Sequence, residues 1–210
     1  MIDFEKLKEE QIKLSKKVII KDSFEKLDLI AGIDTSYSQD DAIAAIVVCS
    51  YETMEVIEKV FARTRAKIPY VSEFLAYREG PAISEAYSML KSIPDILMFD
   101  GNGILHPRRC GLASHMGVLL DAPSIGIAKS LLIGEIKGSI VYVDMEARAE
   151  SVATREHARP IYVSPGNKIS LRTSVEIVKK CMRFPHKLPE PLHLAHKYSK
   201  EIMEKNGERN

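Results

Sequence analysis

This sequence has little to hold it together covalently. Its three cysteines, Cys49, Cys110 and Cys181, are odd in number, widely spaced and never arranged as Cys-x-x-Cys. That spacing excludes a disulfide framework and a thiolate zinc site, and it points to a reducing compartment. No apolar run approaches the ~20 residues of a membrane-spanning helix, and Met1-Ile2-Asp3-Phe4-Glu5-Lys6 is too charged for a secretory signal. A soluble, monomeric, cytoplasmic protein with no membrane partner is expected. Charge of one sign is also missing: 30 Lys and Arg stand against 29 Asp and Glu, a formal net charge of +1. That balance argues against a protein that coats nucleic acid indiscriminately. No internal repeat, low-complexity tract or linker interrupts the 210 residues, of which 45% are hydrophobic. One domain over 1–210 with a sizeable core is therefore expected, ending in a polar, frayed tail over 201–210.

What is present reads as alternating elements. Phe4, Leu7, Gln11 and Leu14 share one face of an expected surface helix over 3–17. Strand-like segments follow at 29–34, 42–50 and 54–63, joined by the short polar links 37–41 and 51–53, as in an antiparallel meander. The pattern turns helical over 82–92, with Pro81 suited to the first helical position. A strand ends at Asp100, a helix is expected over 108–120, and a strand over 124–128. Further strands are expected near 139–143, 151–154 and 160–163, then a loop over 164–167 and a helix over 174–182. Three antiparallel strands followed by alternating helix and strand indicate an α/β protein. Its mixed central sheet would carry parallel strands after the first three, flanked by helices in a ribonuclease H-like arrangement.

Three acids stand where packing does not call for charge. Asp34 ends the apolar run Leu29-Ile30-Ala31-Gly32-Ile33, Asp100 ends Ile96-Leu97-Met98-Phe99, and Glu79 lies at the expected helix entrance. Each has an ordinary reading, as a strand-end turn former, a helix-entry charge and half of an Asp-Gly turn. Together they are what a hard, oxygen-seeking cation such as Mg²⁺ requires, and they point to metal-assisted phosphodiester cleavage. The glycines of Asp100-Gly101-Asn102-Gly103 would let backbone N–H groups approach a ligand. His106 reads equally as a surface histidine or as a phosphate ligand and proton donor. Lys129 reads as solvated or as a point charge for a phosphate oxygen, and Tyr70 as a core-capping ring or as a wedge entering a duplex. No Gly-x-Ser-x-Gly elbow raises a serine beside His115, so a metal-independent serine hydrolase lacks support.

The order of motifs narrows these readings. Gly32-Ile33-Asp34-Thr35-Ser36-Tyr37, Pro69-Tyr70-Val71-Ser72, Leu75-Ala76-Tyr77-Arg78-Glu79-Gly80-Pro81 and Asp100-Gly101-Asn102-Gly103 with His106-Pro107-Arg108-Arg109 closely resemble endonuclease V. So do Gly111-Leu112-Ala113-Ser114-His115, Gly126-Ile127-Ala128-Lys129-Ser130, Val163-Ser164-Pro165-Gly166 and Leu188-Pro189-Glu190-Pro191, and the likeness runs from about residue 30 to 197. The resemblance implies a Mg²⁺-dependent DNA-repair nuclease, with Mn²⁺ as a substitute. It would recognise deoxyinosine and nick the second phosphodiester on its 3′ side, leaving a 3′-hydroxyl and a 5′-phosphate. Carried over by position, Asp34, Glu79 and Asp100 are the catalytic, metal-binding acids, and His196 completes the metal shell directly or through water. His106 and Lys129 lie near the scissile strand, Tyr70 belongs to the wedge, and Ser72, Leu75, Gly101 and Gly103 line the pocket of the extruded base. Two positions depart from the pattern: Ser72 replaces the second proline of a Pro-Tyr-Ile-Pro wedge, and Asn102 stands where many members have histidine. The first change also resembles relatives that cut inosine in RNA, which leaves an RNA-directed nuclease as a rival reading. The other rival is an idle nucleic-acid-binding module, against which the retained acids argue.

Overall fold

The computed structural model describes residues 2–38, 40–154 and 159–207. Helix α1 (Phe4–Ser15) opens on an Asp3 cap whose carboxylate accepts from the Lys6 backbone N–H. Strands β1 (Leu29–Ser38), β2 (Asp41–Ser50) and β3 (Val56–Arg65) form the meander, and α2 (Leu75–Ser88) follows a short 3-10 turn over Ser72–Phe74. Then come β4 (Ile96–Asp100), α3 (Leu112–Leu119), β5 (Ser124–Ala128), β6 (Glu135–Lys137), β7 (Ile140–Val143), β8 (Glu146–Val152), β9 (Ile161–Asn167), α4 (Leu171–Lys180) and α5 (Glu190–Gly207). No helix among the described residues is long and apolar enough to cross a membrane.

The nine strands among the described residues share one sheet in the order β3-β2-β1-β4-β5-β9-β8-β7-β6. Only β1, β4 and β5 run parallel to one another; β2 and β3 on one flank and β9 to β6 on the other are antiparallel. The sheet is mixed as expected, but its parallel part is confined to those three central strands. β4 and β5 are almost wholly buried, and β1 is buried over residues 30–34, as apolar strands between two helical layers must be. β3, at the sheet edge, alternates exposed and partly buried positions.

Alternation of side chains along a strand then decides which residues share a face. Ala31, Ile33, Leu97 and Phe99 join the Ala82, Ile83 and Ala86 side of α2 in one core. Ile30, Ile96 and Met98 join α4 and the Leu192 and Ala195 side of α5 in the other. Each large side chain so buried contributes on the order of 1.5–3 kcal/mol. β1 and β4 pair in register, Ile33 beside Phe99. Asp34 and Asp100, each one residue further along, therefore emerge side by side on the face that α5 covers. The close approach of α5 requires Gly32, because a methyl group there would collide with the Pro191 carbonyl.

Several expectations are corrected. α2 begins at Leu75 rather than at 82, so Pro81 and Glu79 lie inside the helix. Its first turn follows Phe74, which is buried with its ring against Phe4 from α1. The helix expected from 108 begins at Leu112, since Arg109 takes a left-handed φ of 53° that breaks helical continuity. The loop expected over 164–167 is instead the buried end of β9, with Pro165 opposite Ile125. The strand expected over 151–154 is the end of β8 (Glu146–Val152), and β6 was not anticipated. The sequence pattern does not announce α5 as a helix, and the tail expected to fray is helical through Gly207; residues 208–210 lie outside the described residues, as does Gln39 of the link over 37–41.

Candidate active site

Where β1 and β4 end their shared register, side chains from both faces of the sheet converge. Carboxylate oxygens of Asp34 and Asp100 and a ring nitrogen of His196 all lie within 4.8 Å of one another. The three come from β1, β4 and α5, distant in the chain and joined only by the fold. His196 Nδ1 is 3.1 Å from Asp34 Oδ2, and the same oxygen accepts a 2.8 Å hydrogen bond from Ser199 Oγ, one helical turn further along α5. Glu79, from α2 on the opposite face, does not belong to this triangle. It accepts a short hydrogen bond from the Tyr37 hydroxyl and faces the same cleft. That cleft has a volume of about 480 Å³ and is lined by Asp34, Glu79 and Asp100 on its floor and by Tyr70, Ser72, Leu75, Gly101 and Lys129 around them.

Three carboxyl groups in so little water repel one another. Burial pushes Glu79 up to about 8 against the hydrogen bond from Tyr37, and the Asp100 and Asp34 carboxylates add to the rise. Burial likewise raises Asp100 to about 6, opposed by the Lys129 ammonium and reinforced by Asp34. The Tyr37 phenol, desolvated and beside Glu79, is held strongly protonated and so acts as a donor. A set of carboxylates with one imidazole, whose charges are unfavourable without a cation, fits a hard divalent ion held mainly by oxygen. The site is thus a possible acidic metal centre, and Lys129, paired tightly with Asp100, is its one nearby cation among the lining residues.

The expected site residues divide cleanly. Asp34, Asp100 and His196 are brought together, and Glu79, Lys129, Tyr70, Ser72, Leu75 and Gly101 line the cleft. Tyr70 is 65% exposed, which rules out the core-capping reading. His106 does not reach the cleft. It is 1% exposed, its Nε2 lies 3.1 Å from the Glu73 carbonyl, and its Nδ1 accepts from the Arg108 backbone N–H at 3.2 Å. Burial and then the Arg108 charge lower it to about 4, so it is neutral at neutral pH, and its single N–H is held by the Glu73 carbonyl rather than offered to a leaving group. Gly103 is also displaced from its expected place in the pocket wall. It is buried against β9, its N–H donating to Ser164 Oγ at 2.8 Å, and a side chain there would strike the Pro165 carbonyl. Nor is the Gly101 N–H open to a ligand, since it donates to the Phe99 and Ile127 carbonyls. The glycines of this turn serve close packing more than ligand approach.

Tyr37 and Ser199 were not assigned from the sequence. Tyr37 lies within a quoted motif, and β-alternation from Ile33 places it on the Glu79 side. Ser199 becomes visible only once His196 is known to sit on a helix, where a residue three further along shares its face.

A mixed sheet with adjacent carboxylates on its central parallel strands, covered by helices on both faces, defines the ribonuclease H-like class of nucleases. Comparisons with known proteins narrow the class. A family model for Endonuclease V matches residues 12–197. An endonuclease V of Dictyoglomus thermophilum is 44% identical over 201 residues, covering 92% of this chain and 88% of that one. Among solved structures, the endonuclease V of Bacillus subtilis superposes with a TM-score of 0.91 at 32% identity, over 100% of this chain and 96% of the other. That of Ciona intestinalis, in complex with a 24mer DNA containing an inosine followed by a ribo-adenosine, does so with a TM-score of 0.87 at 32% identity, over 96% and 98%. The chain belongs to the endonuclease V family and is an endonuclease of DNA repair.

Proposed function

We propose that this endonuclease recognises deoxyinosine in DNA and, with Mg²⁺, nicks the second phosphodiester bond 3′ to it, leaving a 3′-hydroxyl and a 5′-phosphate. The observation that carries the reading is the meeting of Asp34, Asp100 and His196, with the two aspartates lining a cleft that an exposed tyrosine also lines. Asp34, Asp100 and His196 would hold the ion, with Glu79 contributing from across the cleft, and Mn²⁺ suits the same donors. A bound divalent ion supplies an activated water and offsets charge on the phosphate and leaving oxygen.

The chain's own residues do the rest. Ser199 and His196 fix the Asp34 carboxylate through hydrogen bonds. Lys129 brings its ammonium to the cleft wall, where a non-bridging phosphate oxygen can replace Asp100 as its partner. Tyr70 enters the duplex and takes the place of the displaced base. Ser72, Leu75 and Gly101 wall the pocket. Hypoxanthine lacks the exocyclic amine of adenine and guanine, so tight walls can exclude normal purines. With the Gly101 N–H committed to the backbone, discrimination here relies on wall shape. A weakly paired inosine also costs less to extrude than a normal base.

The test is end-mapping on a duplex with one inosine and both strands labelled. The expected result is one nick at the second 3′ phosphodiester with Mg²⁺ and none with EDTA. Cleavage that ignores the inosine or persists in EDTA would refute the reading. Ser72, in place of a second wedge proline, loosens the segment and favours a second reading in which inosine in RNA is cut. Competition between matched DNA and RNA strands separates the two.

A further inference from the structure

Tyr37 touches both the wedge and the acid cluster. Its hydroxyl donates to Glu79 Oε1. Its ring meets the Tyr70 ring edge-on, with centroids 6.5 Å apart and planes at 89°, a favourable arrangement for two aromatic quadrupoles. The Arg78 guanidinium lies over the same ring, 4.4 Å from its centroid, and an Arg78 N–H donates to the Ile68 carbonyl just ahead of Pro69 and Tyr70. One tyrosine on β1 thus joins the strand-opening segment to the carboxylate next to Arg78 on α2.

We infer that Tyr37 is a positioning residue that couples the wedge to the acid cluster, orienting Glu79 through its hydroxyl while backing Tyr70 with its ring. The inference rests on the proposed function for the wedge half and on geometry alone for the Glu79 half. Each half depends on a different part of one side chain, so substitutions can separate them. Tyr37→Phe removes the hydroxyl and keeps the ring against Tyr70 and Arg78. Tyr37→Leu removes both. Tyr70→Ala removes the exposed partner and leaves Glu79 and its donor in place. Loss of the Tyr70 ring removes the edge-on contact that backs Tyr37, and through the Tyr37 hydroxyl it is expected to be felt at Glu79 and the ion site.

Two readouts other than nicking are measured: Mn²⁺ affinity of the DNA-free protein by calorimetry, and fluorescence of a 2-aminopurine placed beside inosine in Ca²⁺ buffer. Thermal melts confirm that each variant folds. Tyr37→Phe is expected to weaken Mn²⁺ binding by about three- to tenfold, the worth of one ordinary hydrogen bond, and to leave the fluorescence signal as in wild type. Tyr37→Leu is expected to reduce both, and Tyr70→Ala to weaken Mn²⁺ binding by about twofold as well as abolishing the fluorescence change. Wild-type Mn²⁺ affinity in both Tyr37→Phe and Tyr70→Ala overturns the coupling. Equal loss of both readouts in Tyr37→Phe and Tyr37→Leu also overturns it, leaving a purely structural residue. If wild type gives no inosine-dependent fluorescence, the substrate reading falls and takes the wedge half with it, an outcome distinct from either.

Discussion

Replacing Glu79 by glutamine should stabilise the metal-free protein while abolishing its activity. The carboxyl is buried beside two others and is pushed from the usual 4.5 to about 8. Because the folded value lies above the unfolded one, Glu79 is without cost below pH 4.5 and destabilises progressively as pH rises toward 8. At about pH 7.5 the difference amounts to roughly three units, on the order of 4 kcal/mol. An amide removes the charge and can still accept from the Tyr37 hydroxyl, but its own burial takes back part of the gain, leaving ~2 kcal/mol. For a chain of this size that is roughly a 4–8 °C rise in Tm. The assay is thermal unfolding of both proteins in EDTA between pH 4.5 and 8, repeated with Mn²⁺. Glu79→Gln should melt higher at pH 7.5, with the difference closing toward pH 4.5, and should gain less from Mn²⁺ than wild type. A Tm in EDTA at or below wild type at pH 7.5, or a difference indifferent to pH, would refute the argument from desolvated charge.

Other expectations follow from the same geometry. Asp34→Ala and Asp100→Ala should abolish nicking while inosine-containing strands still bind in a gel-shift assay; wild-type nicking by either variant would contradict the site. His106→Asn should lower stability rather than alter the chemistry. Its folded pKa of about 4 lies below the ordinary 6.5, so its stabilising contribution is present above 6.5 and is lost as pH falls toward 4. Urea midpoints of the variant should therefore fall less steeply with acid than those of wild type. Gly32→Ala should destabilise by about 1–3 kcal/mol through collision with the Pro191 carbonyl, and should also impair nicking, because α5 carries His196.

The acids were legible because each ends or interrupts an apolar run where a charge serves no packing purpose, and the register Ile33 with Phe99 turned two of them into neighbours. The meander and the Asp100 strand were legible for the same reason, as apolar runs bounded by polar turns. α5 was not: Pro191, the lysines Lys197 and Lys200, and the histidines His193 and His196 hide its buried stripe of Leu192, Ala195 and Ser199. Its partner face belongs to β1, so nothing local in the sequence declares it. His106 misled because a histidine in a glycine-rich stretch beside two arginines looks solvent-facing, whereas Gln11, Glu73 and Arg148 from three distant segments enclose it and its neighbour Arg108. The Gly101 and Gly103 N–H groups were misjudged alike, since Ile127 on β5, which shares the Gly101 N–H with Phe99, and Ser164 on β9 lie far along the chain.

Anomalous diffraction from crystals soaked in Mn²⁺ tests the central claim most directly. A peak within coordination distance of Asp34, Asp100 and His196, lost in Asp100→Ala crystals, is the predicted result. An Mn²⁺ peak elsewhere with none between β1, β4 and α5 would contradict the account.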